Sequence, residues 1–358
     1  MAQRLQVLHF ATGKHYRGGE RQVHWLHDGL TGRSIDSTVL CRRHSGLDRK
    51  AIAGAQSIGW HRAWDPASLF AVLNAVRRRR PALLHCHDAH ALLHGAIAAR
   101  LYRLPLIMTR RVAFRLRGGM LSRWKYGCCD AVVAISTAVR DQLHALVDRE
   151  RVALVHSCVR WDDDFERDTA RRALGLPTDA FVIGSVGYFT GEKRPQLLGD
   201  IAAQLAESHP RVRVACIGPQ PREPVTADGL TFTGVLEEAH RYYRAFDAYL
   251  SVSRREGLGT ALVDAVVRDI PSVATDAGGT RDIFPDGWDL VRRPDAAEIA
   301  RRLAGLVANP AQAARDAQRA GERARRLFSH AHMVERTVAL YDGVVGARPA
   351  GSVVKGAP

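Results

Sequence analysis

Two acidic side chains, Glu256 and Asp264, flank a glycine-containing turn within Ser251–Ala265. The segment reads as a strand, a turn through Gly257-Leu258-Gly259-Thr260, and the start of a helix. In an open parallel sheet, that carboxyl edge is where ligands bind. Free amides at Leu258, Gly259 and Thr260 would face an anion there, and the helix dipole favours a diphosphate. Gly257 and Gly259 permit close backbone approach. The two carboxylates can accept hydrogen bonds from sugar hydroxyls at opposite ends of an elongated ligand. A plainer account is a helix start with one acidic cap, worth about 1 kcal/mol.

Other chemically capable residues are less specific. His85 and His87 end an apolar strand and point the same way, which invites a metal. No third ligand stands at suitable spacing, so no metal is expected, and His87 is expected to line a cleft instead. Asp162-Asp163-Asp164 superficially has the look of a metal-binding acid run. It precedes a basic helix, where acids favour the helix start, and is expected as linker and cap. Lys14 follows a glycine without P-loop spacing, which excludes an NTPase of that type. The six cysteines show no C-x-x-C spacing and are expected to be reduced, buried and inert.

The elements that must carry these residues alternate throughout. Leu5–Phe10, Thr38–Cys41, Ala82–Cys86, Leu106–Thr109 and Ala131–Ile135 read as strands separated by helical patterns, among them Gln22–Leu30 and Ala67–Val76. The rear half repeats this with strands at Val182–Val186, Val212–Ile217, Leu230–Phe232, Ala248–Val252 and Ser272–Thr275. Helices are expected there over Gln196–Glu207, Glu238–Phe246 and Gly259–Arg268. The fold class is therefore α/β, with two doubly wound Rossmann-like domains. A length of 358 residues suits two cores. With 46% hydrophobic and 25% charged residues the composition is globular. No apolar run reaches the roughly 18 residues of a spanning helix. The first ten residues read as a short strand without the apolar core and cleavage site of a signal peptide, so a cytoplasmic location is expected.

Charge is unevenly spread. Residues 1–160 hold 26 Lys and Arg against 10 Asp and Glu, while the rest is near neutral. Twelve of the 16 histidines share that front half. A field confined to one half points to an anionic partner there.

The acid pair and its flanks resemble the retaining GT-B glycosyltransferases of the large family 4 (group 1) type. The family signature is a Glu, seven residues and a second Glu, followed by a turn, a strand and Gly-Gly-x-x-Glu. Here Glu256 is the first acid, Asp264 takes the place of the second, and Gly278-Gly279-Thr280-Arg281-Asp282 is the last element. The resemblance implies that Glu256 binds the transferred sugar and Asp264 the nucleotide ribose. Gly187-Tyr188-Phe189-Thr190-Gly191-Glu192-Lys193-Arg194 is similar to the family's first loop of the rear domain. It implies that Lys193 contacts the donor diphosphate. Many members carry Arg after the glycine; Tyr188 stands there, and Arg194 is the substitute. Val235 and Leu236 match a base-binding edge, with core packing an equally good account. Gly18-Gly19 resembles the paired-glycine loop near donor phosphates and acceptor. The loop with the family's His reads Thr109-Arg110-Arg111; Arg110 and Arg111 suit a donor phosphate or an anionic acceptor, and with His87 they are expected on the acceptor side.

The resemblance implies domains facing each other across a cleft, with residues 1–160 binding acceptor and 178–330 binding the nucleotide-sugar. Residues 161–177 are expected as the linker, 331–345 as a terminal helix packing back on the first domain, and 346–358 as a disordered tail. The implied activity moves a sugar, with retention, from a nucleotide diphosphate sugar to an acidic glycan or glycolipid. No cofactor is implied. A softer resemblance of Arg110-Arg111-Val112 and Trp124-Lys125-Tyr126 points to lipopolysaccharide core enzymes of the bacterial envelope. Val112–Cys129 is basic, with interleaved Phe114, Leu116, Met120, Leu121, Trp124 and Tyr126. It suits an anionic membrane surface, hence a peripheral place on the inner face; a solvated basic face is the plainer reading. Two rivals are a sugar-nucleotide epimerase of the same fold and a non-catalytic nucleic-acid-binding protein. A pI of about 10.2 favours the latter. Aromatics at only 7% and the lack of any recognised module disfavour it, so no nucleic acid is expected as partner.

Overall fold

Short apolar runs bounded by polar turns become parallel strands, because each run is long enough to cross a sheet and too short for a buried helix. The computed structural model describes residues 4–33, 35–60, 65–114, 116, 118–287 and 290–347. They divide into two units, one reaching Cys158 and resuming at His330, the other Val159–Ser329.

In the first unit the strands are β1 (Gln6–Ala11), β2 (Asp36–Arg42), β3 (Ala55–Ile58), β4 (Leu83–Cys86), β5 (Leu106–Arg110), β6 (Ala131–Ala134) and β7 (Val152–Leu154). Their order is β3-β2-β1-β4-β5-β6-β7, with every pairing parallel. One face, bearing Val7, Leu83, Ile107 and Val133, is covered by Trp25, Leu26 and Leu30 of the helix Gly18–Thr31. Met333, Val334 and Tyr341 of the last helix, His330–Gly346, complete that core. Asp88 caps the helix Ala89–Tyr102 by accepting from the amides of His90 and Ala91. The same carboxylate accepts from the Thr12 amide and hydroxyl, which ties the end of β1 to that helix. The expected tail begins inside the last helix; its residues 348–358 lie outside the described residues.

In the second unit the strands are β8 (Phe181–Val186), β9 (Val212–Ile217), β10 (Leu230–Phe232), β11 (Ala248–Ser251), β12 (Ser272–Thr275) and β13 (Leu290–Val291). Their order is β10-β9-β8-β11-β12-β13, again parallel. Helices Ala296–Ala308 and Pro310–Leu327, absent from the sequence reading, follow β13. The helix expected over Glu238–Phe246 is a 3-10 helix, Ala239–Ala245.

The stretch 161–177 is built into the second unit rather than strung ahead of it. Its helix Arg167–Ala173 carries Arg171, whose side chain is fully buried. Arg171 donates to the carbonyls of Ala245, Pro177, Thr178 and Ala180, and to Asp247 at 2.6 Å. The side chain of Asp164, expected as linker and cap, is buried: Arg268 donates to it in bidentate fashion at 2.6 and 2.8 Å. A buried carboxylate needs such a partner, so Asp164 serves as a counter-ion. The cysteines fit their expected burial except Cys128, which is half-buried.

Replacing Arg171 strands Asp247 and four carbonyls at once. Arg171→Ala is expected to destabilise the second unit by about 3 kcal/mol or more. Arg171→Lys should recover little, because an ammonium lacks the planar fork. Urea unfolding of the variants is the check, and wild-type midpoints would contradict the assignment.

Candidate functional site

A parallel sheet opens where its chain order reverses, because the loops on either side turn to opposite faces. In the second unit that point lies between β8 and β11. The loop after β8 carries Gly187, Tyr188 and Lys193; the loop after β11 carries Ser253 and Glu256. Lys193 Nζ donates to Glu256 Oε1 at 2.5 Å, and Ser253 Oγ donates to the same oxygen at 2.7 Å. The two charged side chains are 27% and 14% exposed, so a ligand can still reach them. A Cβ on Gly187 would stand 3.4 Å from Lys193 Cε, so a side chain there would crowd the lysine.

The turn around Glu256 is clamped by the Gly278-Gly279 segment. The Glu256 amide donates to the Ala277 carbonyl at 2.8 Å, and the Gly279 amide to the Glu256 carbonyl at 3.2 Å. A Cβ on Gly279 would fall 2.1 Å from the Gly257 oxygen, which no side chain tolerates. Gly259, with φ of +92°, caps the helix Thr260–Val266, in a conformation that favours glycine. Leu258 is buried, and Thr260 opens the helix.

The two acids have different surroundings. Asp264 is 2% exposed, and its Oδ1 accepts from Arg268 Nη1 at 3.2 Å. Its spacing from Glu256 gave no hint of that cation, which arrives one helical turn later. Arg194 adopts a left-handed backbone and turns to the Val252 carbonyl at 3.4 Å. Tyr188 is exposed; Val235 is 62% exposed, which excludes core packing for it, and Leu236 is half-buried.

In the first unit the order reverses between β1 and β4. His9 on β1 pairs with His85 on β4. Strand alternation puts His9, His85, His87, Thr109 and Arg111 on one face. His85 is bound on both nitrogens, to Tyr341 Oη at 2.6 Å and Thr109 Oγ1 at 2.7 Å. His9 Nδ1 lies 2.9 Å from His87 Nε2, and His87 Nδ1 lies 3.2 Å from Arg111 Nη2. Arg111 also neighbours Gly19 at the start of the helix Gly18–Thr31: a Cβ on Gly19 would stand 3.5 Å from Arg111 Cδ. Arg110 points to the other face, where it donates to Tyr126 Oη and the Phe114 carbonyl. It is therefore parted from His87 and Arg111.

Burial holds all three histidines neutral. It lowers His9 to about 3, aided by the charges of His27 and Arg111, and it holds His85 and His87 well below the usual imidazole range. Burial also lowers Arg111, to about 10. His9 is the residue that sequence reasoning missed. It supplies the third imidazole, with one nitrogen of each ring within 4.8 Å of the others. Only the parallel register of β1 on β4 brings it there. A metal on these rings would have to displace a hydrogen bond of His85 and sit close to the Arg111 guanidinium.

Comparison with known proteins identifies the family and the fold. Residues 16–162 match the family model described as Glycosyltransferase Family 4, and residues 180–309 the one described as Glycosyl transferases group 1. The chain belongs to the family 4 (group 1) glycosyltransferases. It is 24% identical over 289 residues to the lipopolysaccharide core biosynthesis mannosyltransferase LpcC of Rhizobium leguminosarum bv. viciae, covering 75% of this chain and 80% of that relative. It is 28% identical over 304 residues to D-inositol 3-phosphate glycosyltransferase 1 of Catenulispora acidiphila, covering 74% and 72%. Among solved structures it is similar to Anabaena HepE in complex with UDP and glucose, with a TM-score of 0.80 and 16% identity over 95% of this chain and 100% of that one. Sucrose-phosphate synthase of Thermosynechococcus elongatus gives 0.81 and 17%, over 96% and 100%. These likenesses place the two α/β units in the GT-B fold. The protein is thus a glycosyltransferase, and no helix among its described residues is long and apolar enough to cross a membrane.

The neutral histidines make stability depend on pH. Each has a folded pKa below its unfolded value near 6.5, so the unfolded chain takes up protons that the folded chain refuses. Stability is complete above about pH 7 and falls below 6.5, by about 1.4 kcal/mol per pH unit for each histidine. Urea unfolding at pH 7.5, 6.0 and 5.0 should show the loss in the first unit. A constant midpoint over that span would contradict the buried, neutral cluster.

Proposed function

We propose that the enzyme moves a sugar, with retention of configuration, from a nucleotide diphosphate sugar to a hydroxyl of an acidic glycan or glycolipid. The observation that carries this reading is the Lys193–Glu256 pair at the β8/β11 reversal, beside the leading amides of the helix Thr260–Val266. Glu256 accepts from hydroxyls of the donor sugar. Lys193 and the amides of Leu258, Gly259 and Thr260 face the diphosphate and stabilise the charge that grows as the bond from sugar carbon to phosphate oxygen breaks. The acceptor oxygen bonds to that carbon, and its proton passes to the departing phosphate. Asp264, oriented by Arg268, is assigned to the ribose, and Val235 and Leu236 to the base. Gly187 and Arg194 are assigned to the donor.

His87 and Arg111 are assigned to the acceptor. The basic first half, and the lipopolysaccharide core biosynthesis in the name of LpcC, favour an envelope acceptor carrying acid groups. A peripheral place on an anionic membrane face is supported by Val112, Phe114, Met120, Leu121 and Trp124, all exposed beside Arg123.

Thermal melting with a panel of nucleotide-sugars identifies the donor, since a bound donor raises the midpoint by mass action. With that donor, Lys193→Ala and Glu256→Ala should each lower turnover by roughly 10²–10³. Near-normal turnover in either variant refutes the assignment, and inversion at the anomeric carbon, read by NMR of the product, refutes retention. Trp124→Ser should reduce cosedimentation with vesicles containing anionic lipid; unchanged sedimentation would remove the membrane reading.

A further inference from the structure

Arginine donates hydrogen bonds and accepts none, and this decides where its neighbours keep their protons. Arg111 Nη2 lies 3.2 Å from His87 Nδ1, so that nitrogen offers its lone pair and His87 carries its proton on Nε2. His87 Nε2 lies 2.9 Å from His9 Nδ1, which must accept, leaving the proton of His9 on its own Nε2. The chain of donors therefore runs one way, from Arg111 through His87 to His9. With the opposite tautomer, His87 would turn an N–H against the guanidinium and push it away.

The head of this chain is a cation that no carboxylate touches: Glu20 acts on it only through its charge. Among the described residues no carboxylate pairs with Arg111, and its Nε is buried with no acceptor. Nearby Glu20 accepts instead from the Arg17 amide at 3.1 Å. Two other buried guanidinia have counter-ions, Arg171 in Asp247 and Arg268 in Asp164 and Asp264, while Arg110 spends its donors on Tyr126 Oη and the Phe114 carbonyl. A buried guanidinium with unused donors is costly until an acceptor arrives from outside. Gly19, beside Arg111, presents no side chain to obstruct one.

We propose that His9 and His87 are positioning residues for Arg111, and that Arg111 receives an anionic group of the acceptor, a phosphate or a carboxylate. This rests on reading the first unit as acceptor-binding, and it names the contact through which the acid is recognised.

The test is calorimetric titration of the full chain with glucose 6-phosphate, glucuronate and glucose. One or both acids should bind where glucose does not, and whichever acid binds tells phosphate from carboxylate. Arg111→Gln should weaken that binding at least about tenfold, with partial recovery in Arg111→Lys. His9→Leu, which removes the acceptor from His87, should weaken it several-fold, and His9→Asn, whose Oδ1 stands near the former Nδ1, should restore it. A purely structural role would not separate the acids from glucose. If His9→Leu does not fold, imidazole 15N shifts of the unaltered protein decide: Nε2–H on both His9 and His87 is expected, and Nδ1–H on His87 overturns the relay. Failure of both acids to bind, equal binding of glucose, or unchanged affinity in Arg111→Gln overturns the proposal even where nucleotide-sugar binding and transfer stand. Acid binding that depends on Arg111, in a protein no nucleotide-sugar stabilises, overturns the donor assignment and leaves this one in place.

Discussion

A parallel strand is hydrogen-bonded on both edges and covered on both faces, so it can present chemistry only from the loops at its ends. Both sheets obey this, and in each the chain order reverses once. The loops diverge at those reversals and leave polar side chains uncovered by helices. The Lys193–Glu256 pair sits at one reversal and the His9–His87–Arg111 chain at the other. Lys193 and Glu256 stay partly open there, whereas His9 lies within β1 and is fully buried, so its chain reaches the strand ends only through His87 and Arg111.

Buried charge separates structure from function in this protein. Taking an ion out of water costs several kcal/mol, and the cost is recovered only when its hydrogen-bonding capacity is filled. Arg171 is filled by four carbonyls and Asp247, and Arg268 by Asp164, Asp264 and the Arg160 carbonyl. Those two guanidinium groups hold the second unit together and have nothing left for a ligand. Lys193 and Glu256 remain partly open to solvent, and Arg111 keeps donors unspent. In a glycosyltransferase the open groups are the ones able to meet a diphosphate, a sugar hydroxyl or an acid.

Much of this was legible in the chain. The alternation of apolar runs with helical patterns specified two parallel sheets, because its periodicity follows directly from burial on both faces. Ser251–Ala265 and Gly278–Asp282 marked the second site, since their glycines and acids are local to one strand–turn–helix unit. Edge strands such as Val152–Leu154 and Leu290–Val291 escaped notice, being two or three residues long. The burial of Asp164 is not legible in the chain, because its partner Arg268 is 104 residues away.

By itself, then, the sequence determined the fold class, the family and the segment that carries Glu256, because each is written in neighbouring residues. Only the tertiary structure decided which charges are spent and which are free. It set Asp164 on Arg268 across 104 residues, joined His85 to Tyr341 across 256, and joined His9 to His87 across 78. The reason is that strand register and side-chain alternation act between distant segments, and no local spacing records them.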